Sequence, residues 1–305
     1  MISVIMATYK EPEVQLRKSI ESILHQSYTD FEYIIVLDNP ENQLHIDIIN
    51  EYMKEDGRIR FFINEKNMGL TKSLNRGLSE AKGEFIARMD ADDISLPTRF
   101  ESQIDYLVNN QFDLIGGITQ MIDENENPIY SIKKIPSDFN KIKKILKYGQ
   151  CIAHPTWLGK KEVFSSLKGY RNIPLCEDYD FTLRAVLNGF KISNINETVL
   201  KYRMTKNSLS RRNLYEQYLY MTYITKAYSQ GKIAEIEGAI QFVNNNNDSK
   251  KSQRYLKANV VFNRMLTEIE NKQIFAFIKD GFCLLFSSKA YLNKIYRFLM
   301  LSMYS

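Results

Sequence analysis

The chain has 305 residues, 44% of them apolar and 25% charged, with a formal charge of +5. That is the make-up of a globular protein of one or two domains; it excludes low-complexity and fibrous classes, and so mild a charge is a solubility margin rather than a nucleic-acid footprint. Cys151, Cys176 and Cys283 are odd in number and far apart, which argues against a disulfide framework or a zinc site and fits a reducing compartment. The opening Met1–Met6 lacks a basic region, and no apolar run reaches the roughly 18 residues of a spanning helix, so a cytoplasmic location is expected.

Short β-type runs alternate with helical stripes over the first hundred residues. Ile2 to Ala7 is a strand, followed by Leu16, Ile20, Ile23 and Leu24 on one helical face behind Pro12. Tyr33 to Leu37 is the second strand, Leu44, Ile48, Ile49 and Tyr52 the second stripe, and Ile59 to Ile63 the third strand. Leu70, Leu74 and Leu78 mark a further helix before the strand that begins at Phe85. Leu96 to Phe100 then opens a helix carrying Ile104, Leu107 and Val108. Such alternation implies an α/β fold with a mostly parallel sheet, whose ligands bind at the carboxyl ends of strands. Thr8, Asp38 and Asp90 all fall at such ends.

The fourth strand runs into Met89-Asp90-Ala91-Asp92-Asp93. Three carboxylates packed this closely repel one another, and a divalent cation relieves the repulsion. Oxygen ligands without His or Cys suit Mg²⁺ or Mn²⁺, ions that commonly also hold a phosphate, so a nucleotide diphosphate is the expected partner. A solvated acidic turn is the alternative.

Four stretches, SVIMATYKEP at the start, YIIVLDN at Tyr33 to Asn39, NMGLTKSLNRGLSEAKGEFIARMDADD at Asn67 to Asp93 and EDYDFTLR at Glu177 to Arg184, occur in a familiar order and spacing. In these the chain resembles the family-two inverting glycosyltransferases of the GT-A fold over about its first two hundred residues. The resemblance implies a nucleotide-sugar donor, with UDP the expected nucleotide, Asp90 near the ribose, and Asp92 with Asp90 on a Mn²⁺ or Mg²⁺ ion. It sets Ala7, Thr8, Tyr9 and Glu11 under the base and Asp38 against the uracil imide. Asn67 and Lys72 fall on the loop and helix start that approach the nucleotide. Relatives commonly continue Asp-Gly-Ser where Asn39-Pro40-Glu41 follow Asp38 here, which alters that loop. His154 and Trp157 match a His-Pro region near the pyrophosphate or acceptor; a buried structural His and a core Trp are the alternatives. Asp178 is matched to the base that takes the acceptor proton, with Glu177 in support, against a plain helix cap. Many relatives carry a His near Thr205, and Arg203 with Lys206 could compensate by meeting the diphosphate.

Beyond residue 210 the pattern is helical, with the polar tract Asn244 to Ser249 read as a loop. The stretch Ile274 to Tyr304 is basic and amphipathic, suited either to an anionic membrane surface or to packing on the catalytic domain. The expected organisation is a catalytic domain at 1–210 and a helical extension at 211–305. Bacterial members of the family commonly build surface polysaccharides, so the acceptor implied is a saccharide or lipid-linked saccharide and the location cytoplasmic, peripheral on the inner membrane face. A nucleotidyltransferase is the rival enzyme, but Ala7-Thr8-Tyr9-Lys10-Glu11-Pro12 is not a glycine-rich phosphate loop. A degenerate carbohydrate-binding protein is the non-enzymatic rival, and the retention of Asp90, Asp92 and Asp178 weighs against it.

Overall fold

The computed structural model describes residues 1–131, 134–205, 213–270 and 273–304. Lys206 and Asn207 to Ser210 of the family loop lie outside them. Two compact units are present, one formed by Met1–Lys144, Gln150–Asn172 and Glu177–Lys206, the other by Ile145–Gly149, Ile173–Cys176 and Asn207–Ser305.

The first unit is built on β1 (Ile2–Thr8), β2 (Phe31–Leu37), β3 (Ile59–Ile63) and β4 (Phe85–Asp90). Every residue of β1 and β2 is buried, as befits parallel strands covered by helices on both faces. The helices are α1 (Glu13–Leu24), α2 (Gln43–Glu55) and α3 (Leu70–Glu80). After β5 (Ile94–Ser95) and α4 (Arg99–Asn109), β6 (Leu114–Ile122), β7 (Pro128–Ser131), β8 (Leu158–Lys160) and β9 (Ile192–Arg203) widen the sheet. Between β7 and β9 the chain also forms α5 (Phe139–Ile145), α6 (Lys161–Ser166) and α7 (Glu177–Leu187). The sheet order is β3-β2-β1-β4-β8-β6-β9-β5, with β7 on the side of β6. β1 pairs in parallel with β2 and β4, and the chain changes direction across the sheet between β1 and β4. That reversal opens a crevice at the strand carboxyl ends. The register fixes its floor: Thr8 lies opposite Leu37, and Ala7 opposite Asp90.

One face of the sheet packs Val4, Met6, Tyr33 and Ile35 against Leu16, Ile20, Ile48 and Ile49. On the other, α3 lies so close to β1 that a Cβ at Gly77 would meet Ile5 Cγ2 at 2.6 Å. Three residues expected on buried stripes, Leu44, Leu70 and Val108, are exposed. Their helices bury His45, then Ser73 and Gly77, then Arg99 and Gln103 instead. An apolar count misses these positions, because hydrogen bonds permit a polar side chain to be buried there.

The second unit contains α8 (Leu214–Ser229), α9 (Ile236–Asn246), α10 (Ser249–Glu270), α11 (Ile274–Leu285) and α12 (Lys289–Tyr304). Its interior is aromatic: Tyr255 touches Tyr215, Tyr218 and Tyr291 with ring centroids 5.0–5.3 Å apart. The tract Asn244 to Ser249 is not the loop expected. Only Asn247 and Asp248 separate α9 from α10, and Asp248 Oδ1 accepts the Lys251 N–H at 2.9 Å, capping the next helix. No helix among the described residues is long and apolar enough to cross a membrane.

Candidate active site

The crevice is lined first by the loop after β1. Thr8 is buried, and its hydroxyl donates to Glu11 Oε2 at 2.6 Å and lies 3.0 Å from His45 Nδ1. Glu11 Oε2 also accepts the N–H groups of Tyr9 and Lys10 at 2.8 and 3.1 Å, so this carboxylate shapes its own loop. His45 Nε2 donates to the Glu11 carbonyl at 2.8 Å, which ties the loop to α2. The Asn42 amide holds the Tyr9 carbonyl at 3.1 Å and leaves the Tyr9 ring exposed beyond Ala7.

Asp38 is buried at the end of β2 with both carboxylate oxygens engaged. Oδ1 accepts from Asn64 Nδ2 and the Met68 N–H, each at 2.7 Å, and Oδ2 accepts the Gly69 N–H at 2.8 Å. Gly69 takes φ 86°, a backbone conformation that suits glycine, and opens α3 there. Asp38 thereby sets the position of the helix start on which Lys72 stands exposed, while Asn67 accepts the Gly69 N–H at 3.1 Å from the adjoining loop.

The carboxylates after β4 are unequal. Asp90 is partly exposed and pairs with Arg88, which is buried and leaves its Nε without a partner. Burial, then the charges of Asp90 and Glu11, push the Asp92 carboxyl up to about 7. Asp93 is fully inside; burial, then the charges of Asp90 and Asp92, hold its carboxyl well above the usual range, and its Oδ2 has no partner. Its Oδ1 accepts the Arg203 N–H at 2.8 Å. The Arg203 side chain donates to the Asp92 carbonyl at 2.8 Å and to the carbonyls of Asp123 and Glu124 at 3.3 and 3.2 Å. It braces the backbone of the acidic turn from within.

The donors of this turn are oxygens without His or Cys, which would suit a hard cation. No three His, Cys, Asp or Glu side chains among the described residues are arranged to hold a metal by themselves. Mg²⁺ and Mn²⁺ are commonly held by one or two carboxylates with phosphate oxygens completing the shell, and Asp90 and Asp92 are the two that would hold such an ion here.

Facing this cluster is the start of α7. Burial, then the adjacent Asp178 charge, push Glu177 up to about 7; burial likewise raises Asp178, and the charge of Asp90 acts on both. Asp178 Oδ1 accepts the Tyr179 N–H at 2.7 Å. Asp180, two residues on, is buried between Arg171 and Arg184, with Arg184 Nε at 2.8 Å. Arg184 further donates to the Leu167 and Gly169 carbonyls, so Asp180 anchors the segment ahead of the helix. Behind the crevice His154 Nε2 meets the Tyr170 hydroxyl at 2.8 Å, and burial, then Arg88, depress its pKa well below the ordinary value. Trp157 is wholly buried, donates to the Ile152 carbonyl at 3.2 Å and stacks on Tyr170. Its ring belongs to the core and offers no face to a sugar.

The structure thus brings Thr8, Glu11, Asp38, Asp90, Asp92, Glu177 and Asp178 to one edge of the first unit, with Trp157 and Arg203 packed beneath it. Sequence reasoning missed His45, Arg88, Asn64 and Tyr170. His45 carried one signal, a histidine at a helix start in a chain that has three; Arg88 stood inside a quoted motif as an unexplained charge in an apolar strand.

The Glycosyl transferase family 2 model matches residues 3–168. The chain belongs to that family. An uncharacterized glycosyltransferase of Methanocaldococcus jannaschii is 40% identical over 233 residues, 76% of this chain and 80% of the relative. The O-antigen biosynthesis glycosyltransferase WbnJ of Escherichia coli is 36% identical over 217 residues, 70% of this chain and 84% of the relative. Among solved structures, S. aureus TarS 1-349 in complex with UDP-GlcNAc superposes with a TM-score of 0.61 at 19% identity, covering 79% of this chain and 70% of that one. The likeness is one of fold: the glycosyltransferase has the GT-A architecture, a mostly parallel sheet flanked by helices.

Proposed function

We propose that this glycosyltransferase inverts the anomeric carbon, depends on a divalent cation, and moves a sugar from a UDP-sugar to a saccharide or lipid-linked saccharide in surface-polysaccharide synthesis. The observation that carries the reading is the electrostatic meeting of two acidic groups, Asp90 and Asp92 on one side and Glu177 and Asp178 on the other. One group suits a cation and a diphosphate; the other suits a proton. The O-antigen role of the E. coli relative supports the pathway, and the UDP-GlcNAc held by TarS supports the nucleotide.

Asp178 is the base. Its carboxylate takes the Tyr179 N–H on Oδ1 and a side-chain bond from Gln150, which orient it to accept the proton of the acceptor hydroxyl as that oxygen bonds to the anomeric carbon. The bond from that carbon to the diphosphate oxygen breaks on the opposite face, and its electron pair leaves with UDP. A carboxyl raised by burial is a stronger proton acceptor than a solvated one, and the charge of Asp90 pushes Asp178 the same way. Asp92 and Asp90 would hold a Mn²⁺ or Mg²⁺ ion, which when bound would supply positive charge against the leaving diphosphate. Glu11, Thr8 and Asp38 hold the two loops that receive the nucleotide, with the Tyr9 face available to the base and Lys72 to a phosphate.

The test is thermal-shift titration with UDP, GDP and CMP, each with and without Mn²⁺, on wild type and Asp92→Ala. UDP with Mn²⁺ should stabilise wild type most, and Asp92→Ala should lose about ten- to a hundredfold in Mn²⁺-dependent UDP affinity. Equal UDP affinity in both proteins, with and without Mn²⁺, would remove the cation from this site.

A further inference from the structure

The helix α11 is laid on its neighbour the wrong way out for a protein in water. Its inner face carries Asp280 and Leu284, with Asp280 buried against Arg264 of α10 and Gly281 allowing Met265 to approach. Its outer face carries Phe275, Ile278, Phe282 and Leu285 and continues into Phe286, the residue capping its end, all exposed, the three phenylalanines at 92%, 65% and 77%. Their spacing of three, seven, ten and eleven residues from Phe275 makes a single continuous stripe, and Phe282 and Phe286 touch at 5.1 Å. An isolated exposed Phe needs no explanation, whereas five large apolar side chains on one helix face mark an interaction surface.

Charge decides what covers it. Between Ile274 and Tyr304 the exposed charges are Lys279 and Lys289, while Lys294 and Arg297 turn inward onto Asn259 and Thr225 and the one acidic residue, Asp280, also faces inward. Lys279 is exposed four residues after Phe275 and three before Phe282, on the flank of the stripe. A second copy of this face would bring like charges together. An anionic lipid surface offers phosphate to the lysines and acyl chains to the rings. The helix is about 18 Å long, too short to span a bilayer and suited to lying in its interface.

We propose that the outer face of α11 docks on an anionic membrane, with Phe275, Phe282 and Phe286 below the headgroups and Lys279 among the phosphates. The proposed transfer to a lipid-linked acceptor gives the docking its purpose, but the docking is measured without donor or acceptor. The full chain is sedimented with vesicles of phosphatidylcholine alone or mixed with phosphatidylglycerol. Wild type should bind the anionic vesicles, and a triple variant, Phe275→Ser with Phe282→Ser and Phe286→Ser, should bind at least about tenfold more weakly. Its UDP-dependent thermal shift should match that of wild type. Absence of that shift in both proteins would count against the transferase reading alone, since vesicle binding is scored separately. A second variant, Phe282→Trp, keeps the face apolar, and its fluorescence should move to shorter wavelength on anionic vesicles, because Trp157 is the single native indole and is buried. The proposal is overturned if wild type fails to sediment with anionic vesicles, if the triple variant sediments equally well, or if the emission of the introduced indole does not move. It is also overturned if wild type is a dimer that the triple variant dissolves and neither binds vesicles.

Discussion

Two regions of the molecule break the ordinary distribution of side chains in opposite directions. At the strand edge of the first unit carboxylates are drawn inward, with Asp93 buried, Asp178 partly so, and Asp92 and Glu177 raised to about 7. On α11 the misplaced groups are apolar and outside. Each arrangement is unfavourable for the isolated chain: buried carboxylates lose hydration, and exposed phenylalanines order water. The difference is in what relieves the tension. A cation or a proton relieves the first, and under the proposed docking a lipid surface relieves the second, so the two regions should answer to different variables.

The largest effect should come from separating two carboxylates that stand two residues apart. Asp178→Asn keeps the size and the helix-capping capacity of the side chain but cannot accept a proton, so transfer should fall by about 10²- to 10⁴-fold with donor affinity nearly unchanged. Asp180→Asn, by contrast, breaks a buried pair with Arg171 and Arg184 and should cost about 3–5 kcal/mol of stability, read by chemical denaturation. Normal turnover by Asp178→Asn in a steady-state assay would move the base to Glu177.

A smaller effect is expected at His45, a positioning residue beneath the β1 loop proposed to receive the nucleotide. His45→Gln should raise the donor KM by about three- to tenfold, leave kcat within about twofold, and leave vesicle binding untouched. A fall in kcat with no change in KM would mean that the loop acts on the chemical step instead.

The smallest effect, that of pH, separates the two regions most directly. An unfolded Asp or Glu titrates at about 4, whereas Asp92 and Glu177 in the folded protein titrate at about 7, so between those values the folded state binds more protons. By linkage their contribution to stability is fully present below about pH 4 and is lost as pH rises through about 7. The cation-free protein should therefore melt roughly 2–5 °C lower at about pH 8 than at about pH 5.5, by calorimetry, and Mn²⁺ with UDP should reverse the trend. Vesicle binding over the same range should stay flat, because the exposed side chains of α11 include no histidine and no carboxylate.

The first unit was legible because its signals are local. Parallel strands buried on both faces read as apolar runs, and the strand ends at Thr8, Asp38 and Asp90 follow from counting along them. The carboxylates of the family motifs could be named for the same reason. What could not be read was the company they keep. Arg203 lies 110 residues from Asp93, and only β9 running beside β6 and β5 brings it under the acidic turn instead of toward a phosphate. For Trp157 the sequence leaves both an acceptor contact and a core position open, and only the packing around it, which buries the ring completely, decides for the core. Lone polar residues such as His45 and Arg88 have no periodicity to announce them. In the second unit the helices were legible, but the outward face of α11 depends on the direction in which Asp280 turns.

The bond between Arg203 and Asp93 also bears on how the protein can be dissected. The family match ends at residue 168, yet β5, immediately after the acidic turn, pairs with β9, and the backbone of Arg203 holds an oxygen of Asp93. A fragment cut at the boundary of the match would keep every aspartate of the DADD motif and lose the strand that braces it. It would also lose Asp178. Transplanting the donor site onto another scaffold, or exchanging halves between relatives to change acceptor choice, therefore has to carry the chain through Arg203 as one piece.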